Sequence, residues 1–314
     1  MITVAVDLGG TTIKLGVVRD GKVAREASLA AESRDGLLRQ LREIADEIGR
    51  LLSSLGLEHR NCNALGLTFP GLVDVDINRV RATYGKWDDA PGIDLAAWAK
   101  EQFGLPLVME NDTRLALLGE WRAGAGIGCD NLVLVTLGTG LGTAAIIEGK
   151  LLKGVHGQAG VLGGHFSTNR DGARCTCGNI GCAEAEASTS VLARIAAKHP
   201  EFATSALRQR DKIDYSAVFD LARQGDPCAL ALKTESIAVW AQMIVNLIHA
   251  YDPEKIILGG GVMAGAADFF DALKAAIFAH AHMPWGRVDV VAGSLGSSAA
   301  LLGLDAFARQ RFLV

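Results

Sequence analysis

Four residues stand out first: His165, Cys175, Cys177 and Cys182, spaced H-x9-C-x-C-x4-C. Three thiolates and one imidazole meet the tetrahedral N/S preference of a closed structural Zn²⁺ site. Gly178 and Gly181 let the chain turn tightly around such a centre. Disulfides or free thiols are the alternatives. Met1–Gly10 has neither a basic leader nor a cleavage site, so a cytoplasmic chain is expected, where disulfides are rare. Close Cys-x-Cys spacing also favours metal. Cys62, Cys129 and Cys228 stand singly and are read as inert core thiols, and the other histidines form no ligand-spaced set. Glu110-Asn111-Asp112 lies where a strand meets a helix. Asp112 could take a proton from an alcohol attacking phosphorus, with Asn111 orienting the acceptor. A helix N-cap is the competing role, and one residue can do both.

Two Gly/Thr segments suit an anion. Asp7-Leu8-Gly9-Gly10-Thr11-Thr12 and Gly138-Thr139-Gly140-Leu141-Gly142-Thr143 each join two strand-like runs. Glycine turns present backbone N–H groups with no side chain in the way, which fits a polyphosphate. Either could be an ordinary hairpin on its own. They are also in register, since Gly10 and Gly138 are 128 apart (138−10), as are Gly21 and Gly149 (149−21). That match predicts a duplicated domain. A third cluster, Gly259-Gly260-Gly261, ends a buried run and precedes a helix, the place where α/β folds bind ligands.

The elements that must position these residues alternate between strands and helices. Strands are expected at 1–6, 13–19, 64–68, 107–109, 132–137, 144–147, 255–258 and 288–291. Helices are expected at 33–55, 113–123, 184–198, 215–221, 230–250, 266–279 and 298–307. This order indicates an α/β fold. The chain has 314 residues, enough for two domains of about 150. Glycine is in excess at 37 residues, about 12% against a usual 7%, which implies special backbone geometries. A net charge of −4 without a basic block argues against a nucleic-acid surface. Every long apolar run is interrupted by Gly, Thr, Asn or Gln, so no membrane span is expected.

In order along the chain, the Asp7–Thr12, Leu137–Gly142 and Ile257–Gly261 segments resemble the phosphate-1, phosphate-2 and adenosine motifs of the sugar kinase/actin/heat-shock chaperone superfamily. His165 followed by Cys175-Thr176-Cys177-Gly178-Asn179-Ile180-Gly181-Cys182-Ala183-Glu184 resembles the CxCGxxGCxE signature of the ROK family of sugar kinases and sugar-responsive repressors. The similarity spans essentially the whole chain. It implies two ribonuclease-H-like (actin-like ATPase) domains with an interdomain cleft: residues 1–122 with a C-terminal helix at about 298–314, and residues 123–297 with a zinc-binding insertion at 154–184. It implies an ATP-dependent kinase acting on a hydroxyl, usually O6, of a hexose or N-acetylhexosamine, with Mg²⁺ and structural Zn²⁺. Asp112 would be the base. Gly71, Asn111, His165 and Glu184 would contact the sugar, His165 through the ring nitrogen that the metal does not use. Asp7, Gly9, Gly10, Thr11, Thr12, Gly138, Thr139, Gly140, Gly142 and Gly259–Gly261 would hold ATP. A homodimer or higher homo-oligomer is implied. The helix-turn-helix of the repressors has no room before Asp7, so no nucleic-acid partner is expected.

Two positions depart from the pattern. The family's G-E-x-G-H places Glu three residues before the zinc histidine, and this chain has Leu162. Thr83-Tyr84-Gly85-Lys86-Trp87-Asp88-Asp89 stands in place of Asn-Leu-x-x-Trp. Two sugar contacts are thus missing, with Lys86, Asp88 and Asp89 as candidate replacements. An alternative follows: a sugar-binding sensor without kinase activity.

Overall fold

In a computed structural model, which describes residues 1–312, the chain divides into two compact units. The first comprises Met1–Cys129, Leu151–Ala159 and the chain from Gly293 onward, and the second comprises Asp130–Lys150 and Gly160–Ala292. The first break thus falls seven residues beyond the expected 122/123, and part of the expected insertion belongs to the first unit.

The first unit is built on strands β1 (Ile2–Leu8), β2 (Thr12–Arg19) and β3 (Lys22–Ala30), helix α1 (Leu37–Ser54), and strand β4 (Ala64–Phe69). A short antiparallel ribbon follows, β5 (Leu72–Asp74) and β6 (Arg79–Ala82), then α2 (Leu95–Phe103), β7 (Leu107–Asn111) and α3 (Asp112–Ala123). Its sheet has the order β3-β2-β1-β4-β7. In the second unit, β8 (Leu132–Leu137), β9 (Leu141–Ile147) and β10 (Lys150–Leu151) precede the short helices α4 (Ala183–Ala187) and α5 (Leu192–Ala196). Then come α6 (Tyr215–Arg223), α7 (Pro227–Tyr251), β11 (Lys255–Gly259), α8 (Phe270–His280) and β12 (Asp289–Ala292). The second sheet runs β10-β9-β8-β11-β12.

The two sheets have one plan. An antiparallel hairpin (β1–β2, β8–β9) is followed by parallel strands (β1–β4–β7, β8–β11–β12). The acidic-Gly turns match as well, with Asp20 and Gly21 at φ 51° and 75° and Glu148 and Gly149 at φ 51° and 68°. Two consecutive positive φ values define the type I′ turn that suits the right-handed twist of a hairpin. The 128-residue offset read from the sequence is therefore a repeat of structure.

Apolar spacing explains the packing. In α1, Leu37, Leu41, Ile44, Ile48, Leu51 and Leu52 form one buried face, set against the first sheet. The C-terminal helix α9 (Ala299–Phe312) returns to the first unit and packs on α3 through Leu115, Leu118, Leu301 and Leu304. This crossing is close: a Cβ on Gly119 would lie 2.0 Å from the Ala299 carbonyl oxygen, and one on Gly303 1.8 Å from that of Leu115. Helix α7 is long and apolar enough by composition to cross a membrane. Its buried face, which includes Trp240, Met243, Ile244 and Leu247, packs within the second unit beside α6 and α8.

The single helix expected at 184–198 is two short ones, parted at Ser188 in extended conformation. The break has an occupation. The Ala187 carbonyl accepts hydrogen bonds from the Tyr215 hydroxyl (2.8 Å) and the Trp240 indole (2.9 Å) instead of continuing a helix. The stretch from Gly261 to Asp268 is likewise 3₁₀ rather than α, so α8 begins at Phe270.

Candidate active site and metal centre

In the first unit, β7 delivers Asn111 to the start of α3. Asn111 is the N-cap: its Oδ1 accepts from the Thr113 and Arg114 amides (3.1 Å each), and its Nδ2 donates to the Gly71 carbonyl at 3.1 Å. Asn111 and Gly71, each implied by the resemblance as a sugar contact, are thus bonded to each other. Asp112 is the first helical residue. Its Oδ1 accepts from the Thr113 amide at 2.7 Å, and among the described residues Oδ2 makes no hydrogen bond. Burial, reinforced by the charge of Asp7, pushes the Asp112 carboxyl up to about 6, with Lys86 pulling the other way. Asp7, at the end of β1, is raised by burial against the lowering effect of the Thr68 hydroxyl, which donates to it at 2.6 Å. Two carboxylates that resist ionising side by side form a site prepared for a cation or a proton.

The first Gly/Thr turn follows Asp7. The Gly9 amide is consumed inside the turn, donating to the Asp7 and Thr12 carbonyls at 3.1 Å each. Thr12 already belongs to β2, paired with Ala30. Gly10 and Thr11 keep amides that make no hydrogen bond among the described residues. The segment at 83–89 is tied down at several points. Asp89 accepts from the Leu37 and Leu38 amides (2.7 and 3.0 Å) and so caps α1, while Asp88 accepts from the Thr83 hydroxyl at 2.5 Å. Of the three candidate replacements, Lys86 is the one whose charge reaches Asp112.

Sequence reasoning missed the support beneath this site. Glu110, fully buried, pairs with buried Arg114 at 3.1 Å and with Lys153 at 3.2 Å. Arg114 also donates to the carbonyls of Gly157 and Ala159 (2.9 and 2.8 Å). The i, i+4 charge pair in an apolar helix start was the available signal.

In the second unit, the ligand atoms of His165, Cys175, Cys177 and Cys182 lie within 4.8 Å of one another. Cys177 Sγ and Cys182 Sγ are 3.6 Å apart, and Cys175 Sγ is 3.5 Å from His165 Nδ1. A tetrahedron with ~2.3 Å Zn–S and ~2.1 Å Zn–N bonds has edges of roughly 3.6–3.8 Å. The donor set and its spacing therefore fit Zn²⁺, and all six cysteines are free thiols. Glu184, two residues beyond the last thiol, accepts from the Leu141 amide at 2.9 Å through Oε2. The Gly138 and Thr139 carbonyls accept from the Thr189 and Ser190 amides. Within this second turn the Gly138 amide is internally bonded, and Gly142 lies inside β9 opposite Thr136. The Thr139 and Gly140 amides make no hydrogen bond among the described residues. Gly138, Thr139 and Gly261 line one cavity of about 350 Å³ with Tyr215, Arg223 and Asp268. The second and third glycine clusters thus meet in one place. Of the triplet, only Gly261 lines it; Gly259 ends β11 and Gly260, at φ 89°, turns away against Leu137.

A sequence model of the ROK family matches residues 3–311. The chain belongs to the ROK family. Its fold is the mixed α/β, actin-like ATPase fold of that family. Glucokinase of Thermotoga maritima is 30% identical over 98% of this chain and 97% of its own. Glucokinase of Streptomyces coelicolor is 33% identical over 98% of each. The crystal structure of a ROK family glucokinase from Streptomyces griseus in complex with glucose and AMPPNP superposes with a TM-score of 0.78 at 32% identity, covering 99% of this chain and all of that one. Against the ROK pattern, the structure places Leu162 at the start of the 163–165 turn that leads into His165.

Proposed function

We propose that this ROK protein is an ATP-dependent sugar kinase that transfers the γ-phosphoryl group to a hexose or N-acetylhexosamine hydroxyl, with O6 the expected position. The observation that carries this reading is Asp112, a half-buried carboxylate at a helix start with one oxygen unengaged and its affinity for a proton raised. As the sugar oxygen bonds to phosphorus and the bond to the β-phosphate oxygen breaks, Asp112 takes the hydroxyl proton and ADP leaves. Within the first unit, the residues given roles are Asp7, Asp112, Asn111 and the amides of Gly10 and Thr11. Within the second, they are those of the adenosine cavity, the amides of Thr139 and Gly140, and His165 and Glu184 as acceptor contacts. Asp7 suits Mg²⁺, which would neutralise phosphate charge. Zn²⁺ would sit on His165 Nδ1 and the three thiolates, leaving Nε2 as the sugar-side nitrogen and fixing its orientation. A screen for ADP release over glucose, mannose, N-acetylmannosamine, N-acetylglucosamine, fructose and allose tests the reading. Sugar binding with no ADP from any of them would favour the sensor alternative.

Two further outcomes are expected. The base works only when ionised, so kcat/KM falls about tenfold per pH unit below about pH 6 and is level above it. A pH–rate profile without that limb would remove Asp112 from the role. Leu162→Glu restores the missing carboxylate beside His165. A hydrogen bond to a charged group is worth about 1.5–3 kcal/mol, so kcat/KM for glucose should rise at least about tenfold, read by the same ADP assay across the sugar panel.

A further inference from the structure

Lys86 lies at the first Gly/Thr turn. A Cβ built on Gly10 would be 2.7 Å from its Cε and 3.0 Å from its Nζ. Its charge reaches the Asp112 carboxylate, yet no carboxylate among the described residues comes within ion-pair distance of its ammonium. The two backbone amides of this turn that make no hydrogen bond among the described residues, those of Gly10 and Thr11, are beside it. A cation and unbonded N–H groups clustered around one glycine are a charge-assisted anion cradle, not a packing arrangement.

The neighbouring chain holds Lys86 there. Trp87 is fully buried in the first-unit core and adopts a left-handed φ of 57°, a conformation that a bulky residue keeps only when its surroundings demand it. Its amide donates to the Ser33 carbonyl at 2.7 Å, and the Ser33 hydroxyl donates to the Gly10 carbonyl at 2.7 Å. One serine thus fastens the Lys86 segment and the glycine turn to each other. Asp89 anchors the same segment on the far side through the amides of α1. The lysine is presented from a fixed backbone, with only its flexible stem free to follow a ligand.

We propose that Lys86 binds the transferred phosphoryl group of the nucleotide donor and stabilises the charge that its three oxygens carry during transfer. The inference rests on the kinase reading above for the identity of the anion. An ammonium aimed at the transferring group replaces water's stabilisation with a fixed charge, and removing one such contact costs catalysis about 10²–10³-fold. It also keeps Asp112 ionised beside Asp7 and the incoming phosphates. A role on the sugar side would require the lysine to face the acceptor rather than the Gly10 turn.

The test compares Lys86→Met and Lys86→Arg with the wild type in the full-length protein. Calorimetric titration with Mg-ATP and with AMP should give about tenfold or greater weakening for ATP in Lys86→Met and no change for AMP, which lacks the γ-phosphate. The kcat should fall about 10²–10³-fold with the sugar KM within twofold, and Lys86→Arg should recover part of both. Equal ATP affinity in Lys86→Met and wild type, or a defect confined to sugar KM, overturns the proposal. If the wild type phosphorylates no sugar, the kinase reading fails, while the ATP-against-AMP comparison still decides Lys86. Unchanged melting temperature in Lys86→Met separates ligand contact from misfolding.

Discussion

Asp112→Asn is expected to lower kcat for sugar phosphorylation by about 10²–10⁴-fold without weakening Mg-ATP binding. The amide keeps the size of the side chain and can still bond to the Thr113 amide through its oxygen. What disappears is the place for the proton. The same variant should be more stable than the wild type at alkaline pH. Folding raises the Asp112 carboxyl from the ordinary 3.8 to about 6, so the native state holds this proton more tightly than the unfolded chain does. The group supports the native state fully below about pH 4 and withdraws that support as the pH rises through 6. At pH 8 the wild type therefore carries a destabilising carboxylate that Asn removes, and a rise in Tm of about 2–4 °C or more is expected. Turnover close to wild type would exclude Asp112 as the base, and an unchanged Tm at pH 8 would deny it a perturbed environment.

The second large effect is expected at the thiol cluster. Cys182→Ser, or prolonged chelation of the wild type, should remove one Zn²⁺ per chain and lower activity by about 100-fold or more. Metal content by mass spectrometry, followed by activity on adding Zn²⁺ back, measures both. The ligand atoms come from a turn at His165 and a loop of irregular chain at 175–182 with few backbone ladders of its own. Without metal, the Cys177 and Cys182 thiols have no reason to stay 3.6 Å apart. A metal-free preparation with full turnover would overturn the zinc assignment.

The sequence disclosed what is local or periodic. The hairpins, the α1 face and the H-x9-C-x-C-x4-C set needed only spacing, and the repeat needed only two turns in register. It concealed what depends on distant partners. Nothing near residue 188 announces that the Ala187 carbonyl will be claimed by Tyr215 and Trp240, so an uninterrupted helix was the natural expectation. Gly119 and Gly303 fall inside expected helices, and what requires glycine there is the crossing of those helices nearly in backbone contact. In the candidate site, motif reading grouped Gly9, Gly10, Thr11 and Thr12 as equals. The hydrogen bonds separate them: Gly9 builds the turn, Thr12 starts a strand, and the Gly10 and Thr11 amides make no hydrogen bond among the described residues. Lys86 is one of three replacement candidates in a non-matching segment, and what singles it out is its closeness to Gly10, its charge at Asp112 and the anchoring of Asp88 and Asp89 to other partners.

The stretch after the last zinc thiol has a thermodynamic consequence. Cys182 is the N-cap residue before α4, Glu184 holds the Leu141 amide, and the amides of Thr189 and Ser190 hold the carbonyls of Gly138 and Thr139. Cys182 and the Gly138–Thr139 turn are thus separated by one short, hydrogen-bonded run of backbone. If Zn²⁺ and ATP bind here as proposed, any ordering of that run by one is ordering the other need not supply, and the resulting linkage would be symmetrical. Zinc should tighten ATP binding by some factor, and ATP should slow the loss of zinc to a chelator by raising its affinity through that same factor. The metal would then act as a lasting effector of the nucleotide site.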